Sequence, residues 1–248
     1  MYMTTVFLAG GFGKMGRAIQ QLIANEADLE LVGILAHTPS ESDVPVFTSL
    51  TDVNVTADVW VDVTRPDAAF DNGTYALQHG FNLVVGTSGL QAEQVDQLAR
   101  LSEDNGQSTL IVPNFSLSGV LLMQFAAQAA KYLPDAEVLE IHNPKKVDAP
   151  SGTARATAQA IVQAREQTPV VTNHEDAARG DQIDGVPVHA MRLPGYVAEE
   201  EVVFGAPGET LRIKQTSFTR ESFMGGVALA IRQIETVEGL QTGLDKVL

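Results

Sequence analysis

Hydrophobic and polar positions follow two alternating rhythms along the first half of the chain. Short apolar runs of strand length occur at Val6–Ala9, Leu29–Leu35, Val59–Thr64, Leu83–Gly86 and Leu110–Val112. Apolar residues recur at helical spacing over Lys14–Asn25, Asp67–His79 and Gln91–Asn105. This alternation of strands and helices predicts a parallel sheet with helices on both faces.

The pattern changes after a predicted helix at about Gly119–Leu133. Four predicted strands then follow with one helix, Thr153–Glu166, among them: Glu137–His142, Val186–Arg192, Val197–Phe204 and Leu211–Thr216. The polar segment Gln167–Gly185 predicts a long mobile loop, and a last helix, Ser222–Val237, is expected to return to the first domain. We therefore predict an α/β protein. Its Rossmann-like, doubly wound parallel sheet (residues 1–116 and 219–248) would carry an inserted α+β domain (residues 117–218) on a mixed or antiparallel sheet.

Composition narrows the class of protein. The 248 residues are 44% hydrophobic and 19% charged, which is ordinary for a globular protein. A net charge of −15 argues against nucleic acid or an anionic membrane as a partner. The absence of cysteine excludes disulfides, thiolate catalysis and zinc–cysteine sites, and no metal site is expected. No apolar run approaches the ~20 residues of a membrane span, and the start lacks the features of a signal peptide, so a cytoplasmic protein is expected.

The first strand leads into a glycine-rich turn. Gly11, Gly13 and Gly16 stand in Gly-x-Gly-x-x-Gly order, directly after the strand and at the start of the first helix. Such glycines allow a tight turn and a close backbone approach to a pyrophosphate at the helix N-terminus. The alternative is that the glycines only punctuate a turn, but the strand and helix on either side favour dinucleotide binding.

Other strand ends indicate how a dinucleotide would be held. Strand 2 ends at His37 and Thr38, with neither an acid for a ribose 2′-hydroxyl nor a cation for a 2′-phosphate, so the preference between NADH and NADPH stays open. Polar or glycine-rich turns also follow three further strands, at residues 61–66, 86–89 and 112–115. The turn at 86–89 is interpreted as a backbone and hydroxyl cradle for the nicotinamide end, and the alternative is an ordinary loop.

Candidate chemistry is concentrated in residues 140–154. His142 can donate a proton at neutral pH, although a lone histidine at a strand end is more often structural. Lys145, Lys146 and Arg155 are clustered in an otherwise acidic chain, close to the Ser151-Gly-Thr153 helix start. Such a cluster suits a carboxylate. Lys145 is interpreted as solvated and Lys146 as functional, which predicts a small anionic substrate.

With these motifs assembled, the chain resembles the 4-hydroxy-tetrahydrodipicolinate reductases (dihydrodipicolinate reductases) of bacterial lysine and diaminopimelate synthesis. The family signature Glu-x-His-x-x-x-Lys-x-Asp-x-Pro-Ser-Gly-Thr-Ala is matched without a gap at Glu140–Ala154. Further matches cover nearly the whole chain, at residues 10–16, 62–66, 86–89, 113–115, 192–195 and 222–226.

The resemblance implies hydride transfer from NADH or NADPH to C4 of an unsaturated six-membered ring dicarboxylate. It implies His142 as the proton donor and Lys146 as the second catalytic residue. The implied cofactor contacts, besides His37 and Thr38, are Gly10, Gly11, Phe12, Gly13, Lys14, Met15, Gly86, Thr87, Ser88, Val112, Pro113, Asn114 and Phe115. The implied substrate contacts are Asn143, Ser151, Gly152 and Thr153. Family members are typically homotetramers that associate through the sheets of their substrate domains.

Two departures from the family pattern leave alternatives open. Asn143 stands where a second histidine is usual, and Glu199, Glu200 and Glu201 lie where many relatives have a histidine. These glutamates would oppose an anionic substrate unless they face away or pair with cations. The alternatives are a weakened dinucleotide-binding or regulatory protein, and another two-domain NAD(P)-dependent dehydrogenase, of which the aspartate-semialdehyde type needs a thiolate that this chain lacks.

Overall fold

The computed structural model describes residues 3–170 and 176–248. The chain forms two compact units, Met1–Ser116 together with Phe223–Leu248, and Leu117–Ser222. The chain therefore leaves the first unit once and returns to it near its end. That the first unit binds a cofactor and the second a substrate stays a prediction at this stage.

The described residues form six α-helices and twelve β-strands. Up to residue 116 they are β1 (Thr4–Ala9), α1 (Lys14–Asn25), β2 (Leu29–Leu35), β3 (Val46–Phe47), β4 (Val59–Asp62), α2 (Pro66–Gln78), β5 (Asn82–Val85), α3 (Ala92–Asn105) and β6 (Thr109–Ile111). The second unit contains α4 (Leu117–Ala130), β7 (Asp135–His142), α5 (Gly152–Ala164), β8 (Asp181–Ile183), β9 (Val186–Arg192), β10 (Ala198–Ala206) and β11 (Glu209–Ser217). The returning segment contains α6 (Met224–Gln233) and β12 (Leu240–Thr242).

The sheet of the first unit has the strand order β12-β6-β5-β4-β1-β2-β3. Every neighbouring pair is parallel, which confirms the predicted Rossmann-like sheet. The chain builds outward from β1 in one direction to β3 and then in the other direction from β4 to β6. In sheets of this kind ligands bind beyond the carboxyl ends of the strands, at the point where the order reverses. Here that point lies between β1 and β4.

Aromatic packing and one glycine hold the first unit together. The rings of Phe7 and Trp60 stack with centroids 4.3 Å apart, and Phe81 meets Trp60 edge-on at 5.4 Å. All three side chains are buried. A Cβ on Gly226 would lie 2.0 Å from the carbonyl oxygen of Phe115, so only glycine lets α6 pack this closely against the segment after β6.

The sheet of the second unit has the order β11-β10-β7-β9-β8. Only β7 and β9 are parallel, so the sheet is mixed, as predicted. Alternate residues of β7 and β10 are buried, and their core partners lie on α4 and α5. Val138, Val202 and Phe204 lie on this face. Glu140 and Glu200 lie on it too, which places two carboxyl groups on the core side of the sheet.

Two predicted elements differ from the structure. The predicted loop Gln167–Gly185 contains a 3-10 turn at Ala177–Arg179 and strand β8, while residues 171–175 lie outside the described residues. Strand β8 pairs with β9 over only three residues, which is too short to give a hydrophobic pattern. The last helix is α6 alone, flanked by 3-10 turns. Across residues 3–170 and 176–248, no helix has the length and apolar character needed to cross a membrane.

Candidate active site

The turns predicted to contact a cofactor lie along one edge of the first unit's sheet. Strands β6, β5, β4, β1 and β2 are adjacent and parallel, so the turns that follow them lie side by side. Backbone hydrogen bonds continue past the strand ends: Gly10 N–H donates to Leu35, Val63 N–H to Ala9 and Val112 N–H to Val85. The structure therefore brings together five segments that are up to about a hundred residues apart in sequence.

The glycine turn packs closely against neighbouring backbone. Gly10 has a φ of +86°, and a Cβ there would lie 2.7 Å from the carbonyl oxygen of Val63. A Cβ on Gly16 would lie 2.2 Å from the Gly10 oxygen. The side chain of Arg17 donates a hydrogen bond to the carbonyl oxygen of Phe12 at 3.1 Å, and that of Gln20 donates one to the carbonyl oxygen of Gly11 at 2.8 Å.

Helix α1 starts at this turn without side-chain capping. Its N-cap Gly13 makes no side-chain hydrogen bond, and no acidic residue lies in the first turn. The positive end of the helix is therefore not neutralised by the chain itself, which suits an anionic ligand.

Asp62 ties the ends of β4 and β5 together. Its carboxylate is fully buried and accepts hydrogen bonds from the hydroxyls of Thr64 and Thr87, both at 2.7 Å. The Asn72 amide donates to it at 2.8 Å and the Thr64 N–H at 3.1 Å. Because the Thr87 hydroxyl donates inward to Asp62, we expect the 86–89 turn to contact a ligand through its backbone and through Ser88, which is exposed.

The remaining predicted cofactor residues divide into buried and exposed groups. The ring of Phe115 is buried and packs against Gly86, where a Cβ would lie 2.5 Å from the ring. Val112 is also buried. His37 and Thr38, at the end of β2, are exposed. The sequence gives little indication of which of these residues are buried and which are exposed, because all of them lie at or just after the ends of short apolar strands.

In the second unit, His142 is hydrogen-bonded to the buried carboxylate of Glu140. His142 Nδ1 lies 2.5 Å from Glu140 Oε2. Two guanidinium nitrogens of Arg192 donate to the two Glu140 oxygens at 2.8 Å each, and the Ser151 N–H donates to Oε1 at 3.0 Å. Burial alone would raise the pKa of Glu140. The bonds from His142, Arg192 and Ser151 outweigh it and lower the pKa to about 2.

This arrangement fixes the state of the histidine ring. Since Glu140 is ionised at neutral pH and can only accept, the hydrogen between the two groups belongs to Nδ1. The Nε2 atom is the ring nitrogen that is not committed to Glu140. The His142 side chain is 17% exposed, so solvent can reach it to return a proton.

The loop after His142 holds the predicted lysine. The Lys146 Nζ atom lies 2.9 Å from Asp148, an ion pair that lowers the pKa of the Asp148 carboxyl. The Asn143 side chain accepts from the Lys145 N–H at 3.1 Å, so its amide oxygen shapes the turn. Lys145 is exposed.

Helix α5 begins where this loop ends. Ser151 is its N-cap, and the Ser151 hydroxyl accepts from the Ala154 N–H at 3.2 Å. Ser151 is buried, whereas Gly152 is exposed and Thr153 half-buried. The first turn of α5 thus presents Gly152 and Thr153 outward, while Ser151 supports both the helix and Glu140. Arg155 is exposed and paired with Asp181 at 3.3 Å.

The three consecutive glutamates of β10 divide between the two faces of the sheet. Glu199 pairs with Lys214 and Glu201 with Arg212, each at 2.8 Å, on the face opposite the helices. Glu200 points to the core side and accepts from the Thr157 hydroxyl at 2.5 Å. Two of the three charges are therefore matched by cations.

Sequence reasoning assigned no role to Glu140, Arg192 or Asp62. The signal for Glu140 was its position two residues before His142, which places both side chains on one face of a strand. Arg192 meets Glu140 only through the pairing of β7 with β9, 52 residues along the chain. Within the described parts of the chain, no group of three or more His, Asp or Glu side chains is placed to hold a metal ion.

The all-parallel sheet, its glycine turn and the separate mixed-sheet unit define a class, the two-domain NAD(P)-dependent oxidoreductases. The comparisons with known proteins narrow this class. Residues 4–115 match the family model described as dihydrodipicolinate reductase, N-terminus, and residues 119–248 match the C-terminus of the same family. The chain belongs to the dihydrodipicolinate reductase family.

Individual relatives agree with the family models. The 4-hydroxy-tetrahydrodipicolinate reductase of Lactiplantibacillus plantarum is 43% identical, over 99% of this chain and 100% of its own length. That of Streptococcus suis strain 05ZYH33 is 45% identical over 98% of each chain. The structure of dipicolinate-bound dihydrodipicolinate reductase from Paenisporosarcina sp. TG-14 superposes with a TM-score of 0.89 at 36% identity, covering 99% of this chain and 100% of that one.

Proposed function

We propose that this protein reduces 4-hydroxy-tetrahydrodipicolinate, by way of dihydrodipicolinate, to tetrahydrodipicolinate in diaminopimelate and lysine biosynthesis. The electron donor is NADH or NADPH. The observation that carries the proposal is the buried Glu140 carboxylate, which binds His142 Nδ1 on one side and the Arg192 guanidinium on the other. This arrangement makes His142 an oriented proton donor within residues 140–154, the segment that matches the family signature.

The first unit fits a dinucleotide. The glycines at positions 10 and 16 let the turn pack tightly where a Cβ would collide with the backbone, and the uncapped start of α1 favours the pyrophosphate. We assign Gly10, Gly11, Phe12, Gly13, Lys14 and Met15 to the pyrophosphate end, and Gly86, Thr87, Ser88 and Val112–Phe115 to the nicotinamide end. His37 and Thr38 would lie near the adenosine ribose. When bound, the reduced nicotinamide supplies a hydride for C4 of the substrate ring.

Reduction of the conjugated ring requires one proton in addition to the hydride. We assign this proton to His142 Nε2, because Nδ1 is committed to Glu140. The Glu140 carboxylate orients the ring and stabilises the charged imidazolium before transfer. The hydrogen bonds from His142, Arg192 and the Ser151 N–H keep Glu140 ionised, so that it does not take the proton itself.

We assign the carboxylates of the substrate to Lys146 and to the start of α5. The Lys146 ammonium group would leave its ion pair with Asp148, whose side chain is 59% exposed, and bind a substrate carboxylate. Gly152 and Thr153 offer the first turn of a helix, where an anion is favoured. Asn143 can donate a hydrogen bond through its amide nitrogen, and Ser151 acts through the helix start that it caps. The dipicolinate bound to the Paenisporosarcina relative supports a planar dicarboxylate ligand.

We further propose that the protein is a cytoplasmic homotetramer that associates through the open face of the second sheet. The opposite face is covered by α4 and α5. The open face carries Leu139, Ile141 and Met191 between its charged residues, and Met191 is 42% exposed. Analytical ultracentrifugation of the purified protein tests this assembly, since a monomer would contradict it.

The activity itself is tested with substrate made in situ by the synthase that precedes this step. Loss of the reduced nicotinamide absorbance should depend on the enzyme and on both synthase substrates, and pyridine-2,6-dicarboxylate should inhibit it. Oxidation that continues without the synthase, or none in its presence, would contradict the proposal.

A further inference from the structure

Glu200 is a buried carboxyl group for which the proposed reaction has no role. It is 5% exposed and lies in β10 beside Val202 and Phe204, which are fully buried. The described residues place no cation within ion-pair distance of it, and its hydrogen bond comes from the Thr157 hydroxyl at 2.5 Å. Burying a charged carboxylate without a cation costs free energy, and Glu200 lies on the strand that pairs with β7.

The strand register places Glu200 beside the carboxylate that binds His142. Glu200 is the direct partner of Glu140 in the antiparallel pair β10/β7, and both side chains lie on the core side of the sheet. His142 is the partner of Ala198, two residues from Glu200, and is therefore its diagonal neighbour. Side chains in that relation lie roughly 7–8 Å apart, close enough for a charge to act.

The other groups that face Glu200 are uncharged. Its partner on β11 is Gln215, which donates to Ser217. Helix α4 contains no charged residue, and the single charged residue of α5, Arg155, is exposed and paired with Asp181. Glu140 is thus the charged neighbour of Glu200 within the described chain, and its own charge is balanced by Arg192 and His142.

These surroundings leave Glu200 near the point of ionisation at neutral pH. Burial raises its pKa to about 7, the bond from Thr157 opposes that rise, and the Glu140 charge adds to it. Glu200 is therefore neutral in acid and gains a negative charge through the pH range in which a histidine loses its proton.

We propose that Glu200 is a positioning residue for proton transfer, which becomes negatively charged as the pH rises and thereby helps to keep the neighbouring His142 protonated. The inference rests on the proposed role of His142 as proton donor. A negative charge ~7–8 Å away moves a titration upward by roughly half a pH unit to one and a half units, for effective dielectric constants between ~80 and ~20.

Glu200→Gln is the direct test, because glutamine keeps the shape and can still accept from Thr157. In the pH profile of kcat/KM, the basic limb should move down by about half a unit to one and a half units. Below pH ~6 the variant should match the wild type, since burial keeps Glu200 protonated there. Thr157→Val, which removes the bond favouring the charged form, should shift the limb in the same direction by less.

Glu199→Gln is the matched control. It makes the same chemical change one residue away, on the opposite face, where Lys214 pairs with the carboxylate. Its profile should follow that of the wild type. A Glu200→Gln profile that superposes on the wild type, or an equal shift in Glu199→Gln, would overturn the inference.

A second measurement separates this inference from the proposed function. The titration of the His142 ring is followed by NMR, with its signal identified among the five histidines by its loss in His142→Gln. A lower midpoint in Glu200→Gln supports the coupling whether or not His142 is the catalytic acid. An unchanged midpoint overturns the coupling even if His142 proves essential, whereas full turnover by His142→Gln contradicts only the proposed function.

Discussion

Replacing Arg192 with alanine would remove one of the three groups, with His142 and the Ser151 N–H, whose hydrogen bonds hold Glu140 ionised. Arg192 donates two bonds to the buried Glu140 carboxylate and one each to the backbone oxygens of Asp148 and Met191. The pKa of Glu140 falls from 4.5 to about 2 in the folded protein. At ~1.4 kcal/mol per unit, this difference corresponds to about 3 kcal/mol of stability at neutral pH.

The sign of the pH dependence follows from the lowered pKa. The stabilisation by Glu140 is fully present above pH 4.5, its ordinary value, and is lost as the pH falls through about 2. In Arg192→Ala we expect unfolding to need about 3 kcal/mol less at pH 7, since removing one partner of a buried ion pair typically costs ~3–5 kcal/mol. The pH-dependent part of this loss should be roughly halved at pH 3, where the wild type has itself lost part of the stabilisation.

Urea unfolding at one protein concentration, followed by circular dichroism at pH 7 and pH 3, measures both values. Arg155→Ala is the control, because Arg155 forms an exposed pair with Asp181 and should cost less than ~1 kcal/mol. If Arg192→Ala destabilises no more than the control, or by the same amount at both pH values, the account of Glu140 is refuted.

Three further predictions concern the ligand sites. Lys146→Ala and Thr153→Ala should each weaken inhibition by pyridine-2,6-dicarboxylate about tenfold or more, because charge-assisted bonds contribute ~1.5–3 kcal/mol; unchanged inhibition constants would place the carboxylates elsewhere. NADH and NADPH should differ by less than about tenfold in kcat/KM, since His37 and Thr38 offer only neutral hydrogen bonds; a hundredfold preference would contradict this. Asp62→Asn should lower the free energy of unfolding by about 1–3 kcal/mol and raise the KM for the cofactor, because four donors converge on that carboxylate; an unchanged KM would show that the 86–89 turn is positioned independently.

The sequence predicted the first sheet well because its signals are local. The glycine spacing and the alternation of apolar runs with helical patterns each fall within a few tens of residues. Strand β3 was missed because it has only two residues, and β8 and β12 were missed because, unlike the equally short β6, they contain too few apolar residues to form an apolar run.

The candidate site was predicted only in part, because its decisive contacts join distant segments. His142 and Lys146 follow from a local signature. The partnership of Glu140 with Arg192 depends on β7 lying parallel to β9, and strand pairing over that separation leaves no local pattern. The alternation of Glu199, Glu200 and Glu201 between two faces follows from strand geometry, but the cations that pair with two of them lie on β11.

His142→Gln tests most directly the claim that His142, held by Glu140, donates the proton in reduction of the substrate ring. Turnover of in situ substrate should fall by ~10²–10⁴, the usual effect of losing a positioned general acid. The dissociation constants of NADH and NADPH, measured by fluorescence, should stay within about twofold of the wild-type values, because the predicted cofactor residues lie in the other unit. Turnover near the wild-type rate would contradict the claim.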